Sequence, residues 1–170
     1  STTVTTNWTG NATVSFAQAS TSVTASQVTA TATDSGNNTS EFSQAVQIRP
    51  PLNLMVTNMD NSGPGSLRRA IQDANNAPGL DIISFNINGS GVKTITLSTA
   101  LDTIMDPVVI DGTTQPGYAG TPLIQLNTTS GVLNGLVITA GLSTVKGLAI
   151  NHFVGGAGIR LETGGGNVVT

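Results

Sequence analysis

The sequence predicts an all-β protein with a single short helix, and three features of the chain support this prediction. Short segments rich in Ile, Val, Leu and Thr recur along most of the chain, and Gly or Asn separates most of them. One segment, residues 63–79, has the apolar spacing of an amphipathic helix. No second helical pattern lies between the later strands, which argues against β-α-β units. We therefore expect stacked short strands that one helix covers at one end.

Composition and charge exclude several kinds of function. Charged residues make up only 9% of the 170 residues, well below the roughly 25% typical of globular domains. The chain has 6 Lys plus Arg and a net charge of -3, so it lacks a basic patch for phosphates and we predict no nucleic-acid binding. It has no Cys, which removes disulfides and cysteine metal sites. No apolar run approaches the roughly 20 residues that a membrane span needs.

Residues 1–48 are predicted to form four short strands with turns between them. The predicted strands are 2–6, 12–16, 27–33 and 41–48. Alternation over 27–33 predicts a half-buried strand that forms a hairpin with 41–48. Four such strands make half a β-sandwich, which buries too little by itself, so we expect them to take strands from elsewhere. The chain begins within a strand-like segment, and we interpret it as a fragment or a processed piece.

Two features of this first portion are candidate sites. Trp8 lies at the tip of the first predicted hairpin. An exposed indole there indicates contact with another chain or domain, and local packing is the alternative. The loop from Asp34 to Glu41, with Asn37 and Asn38, carries enough oxygens for a weak calcium site. Its spacing does not fit an EF-hand loop, and a solvated turn is the competing interpretation.

Residues 49–80 are predicted to form a linker strand and a cap helix. Arg49-Pro50-Pro51 marks a boundary, and residues 52–57 read as a strand. Ser66 is a suitable N-cap, because its hydroxyl can accept a hydrogen bond from a first-turn amide. Pro78-Gly79 ends the helix. Its apolar stripe recurs at i, i+3, i+4 and i+7, as Leu67, Ala70, Ile71 and Ala74.

Residues 81–170 are predicted to form the coils of a parallel β-helix. The predicted strands are 81–87, 93–97, 107–111, 123–126, 135–138, 145–150, 158–162 and 167–170. A Gly-Leu-x-Ile pattern at Gly135 returns 12 residues later at Gly147, and Gly158 opens a similar segment 11 residues after that. Evenly repeated short strands without helices favour a solenoid. An antiparallel sandwich is the alternative, but the two-residue turns that hairpins prefer are mostly missing.

Several segments of this second portion resemble a known family. Residues 60–71, together with Ala74-Asn75 and residues 81–85, are similar to the start of large bacterial secreted β-helix proteins. Residues 111–118 and 161–167 resemble later signatures of the same group. The resemblance covers roughly residues 53 to 170.

A second resemblance lies upstream, where residues 29–34 and 38–43 are similar to the closing strands of an Ig-like module. Such a module often precedes these β-helices. Together the resemblances imply a right-handed parallel β-helix with an N-terminal helical cap, on a secreted or cell-surface protein of several domains. They imply no defined catalytic activity and no cofactor. The opening strands of the Ig-like module are absent, and the coils stop at Thr170 where the family continues with more.

Many β-helix proteins degrade polysaccharides with clustered carboxylates, so the acidic residues are candidates for that chemistry. Asp102, Asp106 and Asp111 lie within ten residues and could meet on one face. Each also lies at a strand edge or turn, where Asp commonly caps backbone amides, and we favour capping. Tyr118 is the plausible aromatic platform nearby. His152 is the only histidine, which nearly excludes His-dependent triads and metal sites, and we expect it to end a strand.

These observations leave two functional hypotheses. We favour an extracellular structural or adhesive protein without catalytic residues, which includes a filament subunit that assembles by strand or coil complementation between chains. Its partners are then further copies or neighbouring domains of the same protein. The alternative is a β-helix protein that degrades or binds polysaccharide through a groove containing Asp102, Asp106 and Asp111.

Overall fold

The computed structural model describes residues 26–28, 36, 46–129, 131 and 134–170. It divides into two compact units, Ser1–Arg49 and Pro50–Thr170, and each is described here by itself. In the first unit, strand β1 (Ser26–Val28) pairs antiparallel with strand β2 (Val46–Ile48). This pairing confirms the predicted hairpin over the described residues. The predicted strands 2–6 and 12–16 lie outside them.

The second unit contains the predicted helix, α1 (Leu67–Asn75). Ser66 is its N-cap, because the Ser66 hydroxyl accepts a hydrogen bond from the backbone amide of Arg69 at 3.2 Å. The predicted apolar stripe is the buried face of the helix. The helix ends at Asn75, before the expected Pro78-Gly79, and Asn76 is its C-cap. The stripe joins the same hydrophobic core as the strands, so the helix covers part of that core.

The strands of the second unit are short and fall close to their predicted positions. They are β3 (Asn53–Val56), β4 (Asp81–Phe85), β5 (Lys93–Leu97), β6 (Val108–Asp111), β7 (Ile124–Thr128), β8 (Leu136–Ile138), β9 (Thr144–Lys146), β10 (Leu148–Ile150), β11 (Ile159–Leu161) and β12 (Val168–Val169). A 3₁₀ turn, Gly112–Thr114, follows β6. Alternate residues of β4 and β5 are buried, as expected for strands with one face on a core.

Over the described residues of this unit, all strand pairs are parallel, and they form three sheets. Sheet 1 has the order β12-β9-β6-β4-β3, sheet 2 has the order β10-β7-β5, and sheet 3 pairs β11 with β8. Ile104 extends sheet 3 by a single parallel bridge to Ile138. From β4 onward the chain visits sheets 1, 2 and 3 in the same order three times. We call each such passage a rung.

Aliphatic side chains stack from rung to rung in these sheets. In sheet 1, five residues occupy successive register positions: Leu54, Ile83, Ile110, Val145 and Val169. Sheet 2 aligns Ile95, Leu126 and Ile150 in the same way, and sheet 3 aligns Ile104, Ile138 and Leu161. The core therefore consists of columns that run across the strands. In-register stacking of this kind removes apolar surface from water at every added rung.

Two sequence predictions need correction. Residues 145–150 are not one strand, because Gly147 at φ +65° separates β9 in sheet 1 from β10 in sheet 2. The 12-residue recurrence from Gly135 to Gly147 therefore relates strands of different sheets. The true rung-to-rung equivalence joins β8 and β11, with Leu136 opposite Ile159.

The number of residues in each rung also changes along the chain. Thr94 bonds to Gln125, 31 residues later, and Val108 to Ser143, 35 residues later. Ser143 then bonds to Asn167, only 24 residues later. The first passages therefore include longer loops, whereas the last passage contains little beyond strands and corners.

Candidate functional site

Three of the candidate residues lie outside the part of the chain that the structure describes. These are Trp8, proposed as a contact residue, and Asp34 and Glu41, proposed as calcium ligands. The remaining candidates, Asp102, Asp106, Asp111, Tyr118 and His152, are all described. Both hypotheses about the first portion stay predictions.

Asp111 lies at the end of β6, directly opposite Lys146 of β9. One carboxylate oxygen, Oδ2, is 2.9 Å from the Lys146 ammonium, and the other accepts hydrogen bonds from the backbone amide and hydroxyl of Thr113. Partial burial raises the pKa of Asp111, but the hydrogen bonds from Thr113 and Lys146 and the charge of Lys146 outweigh it and lower that pKa. Asp111 therefore caps the 3₁₀ turn and ties two rungs together.

The other two carboxylates also bond to nearby chain segments. Asp106 Oδ2 accepts a hydrogen bond from the backbone amide of Gly79 at 2.6 Å, which is the capping predicted for it. Asp102 departs from that prediction, because its Oδ2 accepts from the side-chain amide of Gln72 on α1 at 3.0 Å. Both residues join the segment after β5 to the helix or its exit. All three candidate carboxylates thus make structural bonds.

Two shallow depressions flank α1. One has a volume of about 470 Å³ and is lined by Gly63, Pro64, Gly65, Arg69, Gln72 and Asp73. The other has a volume of about 360 Å³ and is lined by Gln72, Asn75, Asn76, Asp102, Thr103 and Met105. Of the three candidate carboxylates, only Asp102 lines either depression. The structure therefore does not gather the three into either one.

Tyr118 and His152 occupy turns of the second unit. The backbone amide of Tyr118 donates to the carbonyl of Gln115 at 3.0 Å, in the loop between β6 and β7. His152 follows β10, as predicted, and has a φ of +64°. One of its ring nitrogens, Nδ1, is 2.8 Å from Oδ1 of Asn151. Within the described part of the chain, neither side chain bonds to a candidate carboxylate, and no three His, Asp or Glu side chains lie close enough together to hold a metal ion.

The largest apolar exposure on aligned core positions is on β11 and β12. Val145 is 2% exposed, whereas Val169, its neighbour in the column, is 51% exposed. In sheet 3, Ile138 is 1% exposed and the aligned Leu161 is 46% exposed. Within the described chain, β10, β11 and β12 pair on one side only. We call these three strands the last rung, and its outer side combines unpaired backbone with apolar side chains.

Sequence reasoning missed several residues that organise the structure. Gln115 is 2% exposed and bonds both backbone polar groups of Ile87. Asn75 of α1 makes an equivalent pair of bonds to the carbonyl of Thr103 and the amide of Met105. The partners are 28 to 30 residues apart in sequence, so no local pattern identifies them. Only the rung register brings them together.

Comparisons with known proteins give no relatives for this chain: no protein family, no curated protein and no solved structure matches it. Over the described residues, none of the helical segments has the length and apolar character required to cross a membrane. The last rung is the candidate functional surface because its strands pair on one side only and its aliphatic side chains are exposed.

Proposed function

We propose that residues 50–170 form a right-handed parallel β-helix, and that the protein is an extracellular structural or adhesive protein. Three properties of the fold support the first part. The chain visits three parallel sheets in a constant order, aliphatic columns cross the strands, and α1 packs over the core. Right-handedness follows from the strong preference of parallel crossover connections. The β1–β2 pair accords with an Ig-like module before the coils.

The observation that carries the functional proposal is the surface of the last rung. It presents strand edges beside aliphatic side chains that are aligned with the columns of the core. An added strand in register would satisfy the backbone groups and continue the columns. Burying one such Val or Leu side chain is worth roughly 1.5–3 kcal/mol. The function is therefore association through strand or coil complementation, and we take a second copy of the chain as the partner.

The bonds of the candidate carboxylates also favour a structural role. Asp111 binds Lys146 and Thr113, Asp106 binds Gly79, and Asp102 binds Gln72. A glycosidase needs two carboxylates held at a defined separation about the scissile bond. These three instead hold rungs, turns and the helix together. We therefore propose that the protein is not an enzyme and has no cofactor.

Sedimentation velocity over a range of concentrations tests the proposal. The parent chain is expected to associate as its concentration rises, and electron microscopy then shows whether the assembly is a filament. Val169→Lys and Leu161→Lys should abolish association, because an added charge at these positions opposes burial. Val92→Lys is the matched control, since Val92 is 55% exposed but precedes β5. A parent that stays monomeric at every concentration would refute the proposal.

A different measurement distinguishes the polysaccharide hypothesis from the structural one. Neutral and uronic-acid polysaccharides are incubated with the protein, and new reducing ends or unsaturated products are measured. We expect none. Products that disappear in Asp102→Asn or Asp106→Asn variants with an unchanged circular dichroism spectrum would favour the enzyme instead.

A further inference from the structure

The sequence contains two Asn-Gly pairs, Asn88-Gly89 and Asn134-Gly135, and the fold holds them differently. In such a pair, the backbone nitrogen of the glycine can attack the side-chain carbonyl carbon, Cγ, of the preceding asparagine. Glycine favours this attack because it has no Cβ to hinder the approach and because its backbone rotates freely. The reaction requires the two groups to reach a near-attack geometry. Hydrogen bonds that hold either group therefore protect a pair from reaction.

Asn134-Gly135 is held by the rung that follows it. Oδ1 of Asn134 accepts a hydrogen bond from the backbone amide of Ala157 at 3.0 Å, and the Gly135 amide donates to the carbonyl of Ala157 at 3.0 Å. A Cβ on Gly135 would collide with the carbonyl oxygen of Gly158, so the glycine backbone is packed against the next rung. Attack would require both hydrogen bonds to break. This pair is therefore protected as long as β8 and β11 stay paired.

Asn88-Gly89 lies in the turn between β4 and β5, and both residues are exposed. Over the described residues, neither the Asn88 side chain nor the Gly89 amide makes a hydrogen bond. Gly89 has a φ of +94° and Gly91 a φ of +74°, which are conformations that glycine adopts in turns. The buried residues Ile87 and Lys93 hold the two ends of the turn. The turn can therefore change its backbone conformation while the strands stay in place.

A buried positive charge lies beside this second pair. Lys93 is 4% exposed, and its ammonium donates to the carbonyl of Ser90 at 2.9 Å. A Cβ on Gly89 would lie 3.2 Å from Nζ of Lys93, so the ammonium is close to the Gly89 backbone. The Gly89 nitrogen must lose its proton before it attacks, and a nearby cation stabilises the negative charge that develops. The turn therefore combines an amide without a hydrogen bond and a charge that favours its reaction.

We propose that Asn88-Gly89 is a self-modification site, at which Asn88 converts to aspartate and isoaspartate, whereas Asn134-Gly135 stays intact in the folded chain. The Gly89 amide gives its proton to water, and its nitrogen forms a bond to Cγ of Asn88. The bond between Cγ and the side-chain nitrogen breaks, and that nitrogen takes up a proton from water and leaves as ammonia. The product is a cyclic succinimide.

Water then opens the succinimide at one of its carbonyls. Cleavage between the ring nitrogen and Cγ gives an ordinary aspartate, and cleavage between the ring nitrogen and the main-chain carbonyl carbon gives isoaspartate. No electrons are transferred, and the chain and water are the only reactants. Either product replaces a neutral amide with a carboxylate, so the net charge becomes one unit more negative than -3. The reaction is independent of association at the last rung and goes beyond the proposed function.

Ageing of the folded protein in neutral buffer tests the proposal. Ion-exchange chromatography should show a more acidic form that increases with time, and an isoaspartyl methyltransferase should label part of it. Trypsin cleaves after Lys93 and so places the two Asn-Gly pairs on different peptides. Mass spectrometry should locate the conversion at Asn88 and find the peptide that contains Asn134 unchanged.

Two controls make the test decisive. In guanidinium chloride, where the rung contacts of Asn134-Gly135 are lost, both pairs should convert, because the fold no longer protects Asn134. Asn88→Gln should remove most of the acidic form from the folded protein, since the longer side chain must close a larger ring. An Asn88 that stays unchanged in the folded protein while the unfolded chain converts would overturn the inference. Equal conversion of Asn88 and Asn134 in the folded protein would also overturn it.

Discussion

The side-chain amide of Gln115 bonds both backbone polar groups of Ile87. Oε1 accepts from the Ile87 amide at 2.9 Å, and Nε2 donates to the Ile87 carbonyl at 2.8 Å. Both residues are buried, so no solvent is available to replace these bonds. Gln115 thus continues the ladder of sheet 1 past the end of β4, where no strand lies beside Ile87. Asn75 bonds in a similar way to the carbonyl of Thr103 and the amide of Met105, so side-chain amides stand in for a missing strand at both places.

Replacing Gln115 tests this role. Gln115→Leu should lower the free energy of unfolding by about 2–5 kcal/mol, because each unsatisfied buried group costs about 1–3 kcal/mol. Urea unfolding followed by circular dichroism measures the change. Gln125→Leu is the control, since Gln125 is half-buried and accepts one side-chain hydrogen bond, from Thr94. Equal losses in the two variants would contradict the assigned role.

The corner at Gly112 has no room for a side chain. A Cβ at Gly112 would lie 2.2 Å from the carbonyl oxygen of Gly147 in the next rung. Gly112→Ala should therefore destabilise the fold by about 1–3 kcal/mol or more, because the two rungs must separate. Gly165→Ala should be close to neutral, since nothing lies within 4 Å of its Cβ position. Thermal unfolding of both variants measures the difference, and a neutral Gly112→Ala would show that the rungs are farther apart than described.

Leu142 adopts a backbone conformation that disfavours its side chain. Its φ is +58°, in the left-handed region, and its side chain is 66% exposed. Leu142→Asn should raise the free energy of unfolding by about 0.5–1 kcal/mol, because Asn tolerates this region better than Leu. Met105→Asn, at the same exposed fraction but without a positive φ, should give no gain. Chemical denaturation compares the two, and destabilisation by Leu142→Asn would mean that its packing on Gly166 outweighs the strain.

The ion pair of Asp111 with Lys146 makes stability depend on pH. Because the pKa of Asp111 is lowered in the folded state, its contribution is present above the unfolded-state pKa of about 3.9 and is lost as the pH falls through the folded-state value. We expect Asp111→Asn to be less stable than the parent at pH 7 and to approach it in strong acid. Urea titrations between about pH 7 and pH 2 measure this convergence.

Asp73 provides the comparison for that experiment. It pairs with Arg69 at 3.0 Å on the outer face of α1, where the Arg69 side chain is 58% and the Asp73 side chain 35% exposed. Asp73→Asn should change stability by less than about 0.5 kcal/mol at every pH, as exposed helix pairs do. A constant gap between Asp111→Asn and the parent from neutral to strongly acidic pH would show that charge is not what Asp111 contributes.

Much of the local structure could be predicted from the sequence. The stripe of Leu67 and Ile71 fixed the buried face of α1, and Ser66 fixed its start. Residues 93–97 were predicted as a strand and form β5. These predictions succeed because helical and strand periods are properties of a few adjacent residues. The prediction of a single strand over residues 145–150 is wrong, because the break between two strands depends on the tertiary fold. A corner of one glycine, Gly147, leads from one sheet to the next and leaves the apolar pattern of the sequence almost unbroken.

The candidate site residues show the same contrast between local features, which the sequence predicts, and contacts between distant residues, which it does not. Asp111 was recognised as a turn cap, and it caps Thr113 two residues away. Its ion pair with Lys146 was not foreseen, because the two residues meet only through the pairing of β6 with β9. The sequence predicts that Asp102 caps a backbone amide, whereas in the structure it accepts a hydrogen bond from the side chain of Gln72 on the helix.

By itself, the sequence determined that the chain is β-rich, where its one described α-helix begins and which side of that helix is buried. These features depend on propensity and periodicity over a few residues. Only the tertiary structure decided which strands share a sheet, which side-chain amides bond to distant backbone groups and which aliphatic positions are left exposed. Those outcomes depend on register between residues 23 to 35 positions apart, where loop length sets the alignment and no local pattern records it.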